Sequence, residues 1–119
     1  MDNLQKMMNW QKEFTSQFPE MKNYKDLSLK DKSELTLMSI SNTIEELIEL
    51  QQEIPHRKFW SNKKDLGMSK MAKEEYIDVF HWVLTIALIN DWDSNEIFKS
   101  FEKKREKNKK RLNNGLYEK

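Results

Sequence analysis

The chain has 119 residues, enough for one domain, and its 21 basic and 20 acidic residues leave a formal net charge of +1. That balance gives no overall pull toward nucleic acid or an anionic membrane. The absence of cysteine excludes disulfides and thiolate chemistry, and two histidines are too few for a histidine-rich metal centre.

With only two Gly and two Pro, long helices are expected rather than a turn-rich sheet fold. The first helix is predicted over residues 2–17. Leu4, Met7, Met8, Gln11 and Phe14 give it an imperfect apolar stripe, and Pro19 ends it. Residues 19–31 read as a connection with little regular structure. A second helix is predicted over about 32–54, with Leu35, Leu37, Ile40, Ile44, Leu47, Ile48 and Ile54 on its inner side and Pro55 as terminator. Residues 55–69 form a loop, and Ser69 is a candidate N-cap for a third helix over 70–91. A fourth follows Asp93, which with Glu96 resembles a capping box, and runs to about 112 with Gly115 at its exit. The expected fold is all-α, a four- to five-helix bundle in a single domain.

Between Tyr76 and Asn90, Asp78 is the one formal charge in a helix that is apolar on nearly every side. Such a helix is expected at the centre of a fold or at a subunit interface. A lone carboxylate in that setting needs a cation, a basic partner or an open cleft. Glu46 and Glu49 on the second helix stand three apart, as do Glu75 and Asp78 on the third, so each pair shares a helix face. Two such pairs on adjacent helices can bring four carboxylates to one spot. Oxygen-only ligands suit a hard cation such as Mg2+, with Mn2+ as a substitute. On the second helix alone, an ordinary solvated acidic face explains Glu46, Glu49 and Glu53 equally simply.

The basic residues supply a counterpart. Lys58 lies between the two acidic pairs, in the segment Arg57-Lys58-Phe59-Trp60-Ser61. Lys104, Asn108 and Arg111 fall at i, i+4 and i+7 and share a face of the fourth helix. Taken by itself that run also reads as a solvated charged surface, and Glu102 and Glu106 within it argue against a nucleic-acid arm. Trp60 fits either a residue that closes a pocket or a loop anchor. His81 fits either a partner of a metal carboxylate or a structural histidine. Trp10, Trp82 and Trp92 are expected in the core or an interface.

Glu46-Leu-Ile-Glu49 followed by Glu75-Tyr-Ile-Asp78-Val-Phe-His81 resembles the metal motif of the all-α nucleoside triphosphate pyrophosphohydrolases, the MazG-like enzymes and the dimeric dUTPases. The basic-aromatic segment around Lys58 and Trp60 and the Asp78-x-x-His81-Trp82 continuation are most similar to the dimeric dUTPases. Lys104-x-x-x-Asn108-x-x-Arg111-x-x-x-Gly115 resembles their phosphate-binding ending, with Leu116 inserted before Tyr117 and Arg105 where an Asn often stands. Leu4-Gln5-x-x-x-Asn9 faintly resembles a helix used there for uracil recognition.

The resemblance implies Mg2+-dependent hydrolysis of dUTP, and of dUDP in some members, to dUMP. Glu46, Glu49, Glu75 and Asp78 would be metal ligands, with Glu46 or Glu49 as general base because Asp78 is the more embedded. Gln5, Asn9, Lys58, Trp60, His81, Lys104, Asn108, Arg111 and Tyr117 would contact the nucleotide. A homodimer formed through the third helix is expected, with no nucleic acid or membrane partner. The polar N-terminus and the lack of a long apolar run point to the cytoplasm of a bacterium or a phage-infected cell. Two alternatives stay open: a MazG-like pyrophosphohydrolase for another nucleotide, and a non-enzymatic helical interaction protein.

Overall fold

The computed structural model describes residues 1–21, 24–54 and 70–115. Over those residues the chain forms four α-helices and one 3-10 turn, with no strand. They are α1 (Asn3–Thr15), the 3-10 turn (Tyr24–Asp26), α2 (Leu29–Gln52), α3 (Lys70–Ile89) and α4 (Ser94–Asn113). No helix among the described residues is long and apolar enough to cross a membrane.

Side-chain caps set three of the helix starts. Asp2 accepts the Gln5 amide, Ser28 the Asp31 amide and Asp93 the Glu96 amide. Each takes up a donor that the first helical turn leaves unpaired. The Ser28 cap starts α2 three residues earlier than the apolar periodicity suggests. The expected Ser69 cap, Pro55 and Gly67 lie outside the described residues. At the other end of α3, the Trp92 amide reaches the Ala87 carbonyl and the Asp91 amide that of Leu88, while Asp91 sits at φ 57°. This double closure with a left-handed residue is a Schellman stop, and it turns the chain from α3 into α4. Gly115, at φ 72°, supplies the left-handed exit from α4 without a Cβ penalty.

α2 and α3 form an antiparallel hairpin. Near the α3 stop, Lys32 pairs with Asp91 at 3.0 Å, and the Asn90 amide donates to Thr36 Oγ1 at 3.1 Å. α1 lies across α3, and α4 returns against α1. Met8, Leu84, Ala87 and Leu88 form the core at that crossing, flanked by Leu4, Met7, Phe80 and Ile97. Ile89 is fully buried.

One expectation about packing is overturned. The apolar row of α2 does not face inward: Leu37, Ile40, Ile44, Leu47 and Ile48 are 41–64% exposed. The side turned to α3 carries Thr36, Ser39 and Thr43, whose hydroxyls donate to the carbonyls of Lys32, Leu35 and Ser39. These short side chains satisfy themselves on their own helix and allow close approach. An acidic face turned to α3 necessarily turns the apolar row away from it. α3, expected at the centre of the fold or at a subunit interface, is not covered on every side within the single chain. Its C-terminal half is core, whereas Tyr76, Ile77, Asp78 and Val83 are exposed. Among the described tryptophans, Trp10 and Trp92 are exposed and Trp82 is half-buried, so none of these three is fully buried in the single chain. The radius of gyration, 18.1 Å, exceeds the roughly 13–14 Å of a compact chain of this length.

Candidate metal and nucleotide site

The acidic pairs lie toward the C-terminal end of α2 and the N-terminal end of α3. Helical spacing places Glu46 and Glu49 on the α3 side of α2, and Glu75 and Asp78 on the facing turn of α3. Carboxylate oxygens of Glu46, Glu75 and Asp78 lie within 4.8 Å of one another. Glu49 is the fourth member, within hydrogen-bonding reach of both Glu46 and Glu75.

The embedded members of this group are Glu46 and Glu75. Glu46 and Glu75 are half-buried, whereas Asp78 is exposed, contrary to the expectation from its apolar neighbours. The reason is that Tyr76 and Ile77 beside it are themselves uncovered. Oε2 of Glu46 and Oε2 of Glu75 are buried without a hydrogen-bond partner. Ionised carboxylates only accept, so bringing Glu49 alongside adds acceptors and no donor. The electrostatics register this. Desolvation, followed by the contact with Glu49 and the charges of Glu49, Asp78 and Glu75, raises Glu46 to about 6. Desolvation and the contact with Glu49 likewise raise Glu75, helped by the charges of Asp78 and Glu53. A shared proton or a cation relieves such a cluster. The donor set is all oxygen, with two orphaned buried oxygens, and it fits a hard divalent cation.

Beside the carboxylates opens a cavity of about 560 Å³. Glu46, Asp78 and His81 line it together with Gln11, Thr85 and Trp82. Phe14 and Phe18 also reach it, packed edge to face at 5.4 Å and 70°. The volume and the mix of aromatic walls with a few polar groups suit a small aromatic ligand.

The other expected substrate contacts divide. His81 lines the cavity and is exposed. Gln5 and Asn9 do not reach it; both are exposed, and the Asn9 amide lies 3.4 Å from Met1 Sδ. The α1 face turned inward runs through Met8 and Thr15, both buried; Gln5 stands about 70° off it and Asn9 about 110°. The α1 residue that does reach the cavity is Gln11, the polar member of an otherwise apolar stripe. Its position in that stripe was the available signal. Lys104 and Asn108 line a groove on α4 with Phe101 and Leu112, and Arg111 is half-buried nearby in sequence. None of the three lines the carboxylate cavity. Lys58, Trp60 and Tyr117 lie outside the described residues.

Comparison with known families matches residues 3–112 to the model of a family described as dUTPase. No curated protein and no solved structure matches the chain.

Proposed function

Because the chain belongs to the dUTPase family, we propose that it hydrolyses dUTP to dUMP and pyrophosphate at the α2–α3 carboxylate cluster, with Mg2+ as cofactor and Mn2+ as a substitute. The observation that carries the reading is the convergence of Glu46, Glu75 and Asp78 on the edge of an aromatic-walled cavity. Glu46, Glu49, Glu75 and Asp78 would hold the metal. When bound, the metal supplies charge neutralisation for the phosphates and a more acidic water.

The remaining work falls to the chain's own side chains. Glu46 and Glu49 are the candidates to accept the proton of the attacking water, since Glu46 is already raised toward neutral pH. Water bonds to phosphorus, the bond to the α–β bridging oxygen breaks, and that oxygen leaves with the electron pair on pyrophosphate. His81 and Trp82 line the cavity beside the carboxylates, where the base would lie. Gln11 offers an amide to the base edge, and Phe14 and Trp82 offer ring faces. Lys58, Trp60, Lys104, Asn108, Arg111 and Tyr117 are the remaining candidates for phosphate and base contacts.

A homodimer is part of this proposal. Leu37, Ile40, Ile44 and Leu47 repeat at i, i+3, i+7 and i+10, the seam of a helix–helix interface, and all are exposed in the single chain. A groove bounded by Ile44, Leu47, Ile48 and Ile54 continues that seam. A second copy on this face would cover the row.

The test is pyrophosphate release from a panel of deoxynucleoside triphosphates with and without Mg2+. Metal-dependent release from dUTP is expected. No release from dUTP, or undiminished release after chelation, would overturn the reading. Preference for another base would retain the chemistry and correct the substrate.

A further inference from the structure

We propose that Thr85 is a positioning residue that fixes the polarity of the Gln11 amide, so that the cavity accepts pyrimidines bearing an imide N3–H and rejects cytosine. This rests on reading the cavity as a nucleotide site, and it deepens that reading. Gln11 Nε2 donates to Thr85 Oγ1 at 3.0 Å. The Thr85 hydroxyl in turn donates to the His81 carbonyl at 2.9 Å. With its proton committed there, Oγ1 faces Gln11 as an acceptor. The amide nitrogen is therefore held toward Thr85.

A carboxamide is otherwise ambiguous. Turned one way it pairs an oxygen with N3–H of uracil. Turned the other way it offers an N–H to N3 of cytosine. When the phosphates anchor the nucleotide and fix its base edge, the amide polarity decides which base is matched. Flipping Gln11 would set Oε1 against Oγ1 unless the hydroxyl released the His81 carbonyl. Thr85 is buried, 4% exposed, so water does not readily substitute for that bond. Both Gln11 and Thr85 line the cavity, so the lock lies where the base edge would be read. The arrangement does not separate uracil from thymine, since both carry the imide.

The test titrates 2′-deoxyuridine and 2′-deoxycytidine by NMR into the full chain, wild type, Thr85→Val and Thr85→Ser, and measures kcat and KM for dUTP and dCTP alongside. Valine keeps the shape and removes the acceptor; serine keeps the hydroxyl. The wild type is expected to favour deoxyuridine. Valine should shrink that preference roughly tenfold, the scale of one buried hydrogen bond, with serine restoring it. The dUTP-over-dCTP ratio should change through KM more than kcat. Equal binding of the two nucleosides by the wild type would overturn the proposal, as would an unchanged preference in the valine variant or equal shifts in both variants. Nucleoside discrimination that depends on the hydroxyl, without pyrophosphate release, would sink the catalytic reading and leave this inference standing. Turnover with a hydroxyl-independent preference would do the reverse.

Discussion

The two ends of the α2–α3 hairpin are built from the same two helices and solve opposite problems. At the α3 stop donors meet acceptors: Lys32 meets Asp91, Asn90 meets Thr36, and the Leu88 and Ala87 carbonyls accept the Asp91 and Trp92 amides. Ile89 beneath them is fully buried. At the other end, four carboxylates meet with no donor among them, and two of their oxygens are buried and unpartnered. The first end is shaped for stability. The second sets like charges together at a cost that packing elsewhere in the fold offsets, which is the usual relation between a functional site and its scaffold.

The largest expected effect breaks the acidic end. Glu46→Gln, Glu75→Gln or Asp78→Asn should each lower turnover by roughly 10²–10⁴-fold, the range for loss of a positioned acid–base or metal-binding group. The same variants, free of metal, should melt at the wild-type temperature or above it, because each removes repulsion. Pyrophosphate release and thermal unfolding on one sample check both halves. A large loss of stability would mean that the carboxylates belong to the scaffold. Ile89→Ala probes the opposite end. It should cost about 2–5 kcal/mol in denaturant unfolding through the cavity it leaves.

A smaller effect comes from pH. Glu46 is raised from 4.5 to about 6 in the folded chain, so the folded state holds this proton more tightly than the unfolded one. The sign follows: the metal-free protein is favoured below pH 4.5, and that contribution is lost as pH rises through about 6. The metal-free melting temperature should fall across this window. Glu46→Gln should flatten the fall, and Mg2+ at neutral pH should recover it.

How much of this was legible in the sequence differs between the two ends. The helices themselves were, because Asp93, Pro19 and Gly115 punctuate an otherwise helix-favouring chain. So was the pairing of Glu46 and Glu49 with Glu75 and Asp78, since spacing alone fixes which residues share a face. The direction of those faces was not. An apolar row on α2 states that something covers it, but not whether the cover is α3 or another chain. The same ambiguity misplaced Asp78: apolar neighbours imply burial only if they are themselves covered. Gln11 was passed over in favour of Gln5 and Asn9 because helix phase, set by Met8 and Thr15, decides which polar residue reaches the cavity.

The smallest expected effect tests how closely matched the stable end is. Asp91 has two roles with opposing demands. Its backbone stands at φ 57°, where glycine is more comfortable than a residue with a Cβ. Its carboxylate holds Lys32, whose side chain is largely covered. Asp91→Gly removes both the strain, worth up to about 1 kcal/mol, and an ion pair at a half-exposed position, worth about 0.2–1 kcal/mol. The two nearly cancel, so the melting temperature should hardly move. Asp91→Ala loses the pair and keeps the strain, so it should melt below both. If Asp91→Gly instead melts well below Asp91→Ala, the stop is held by rigidity rather than by the left-handed turn.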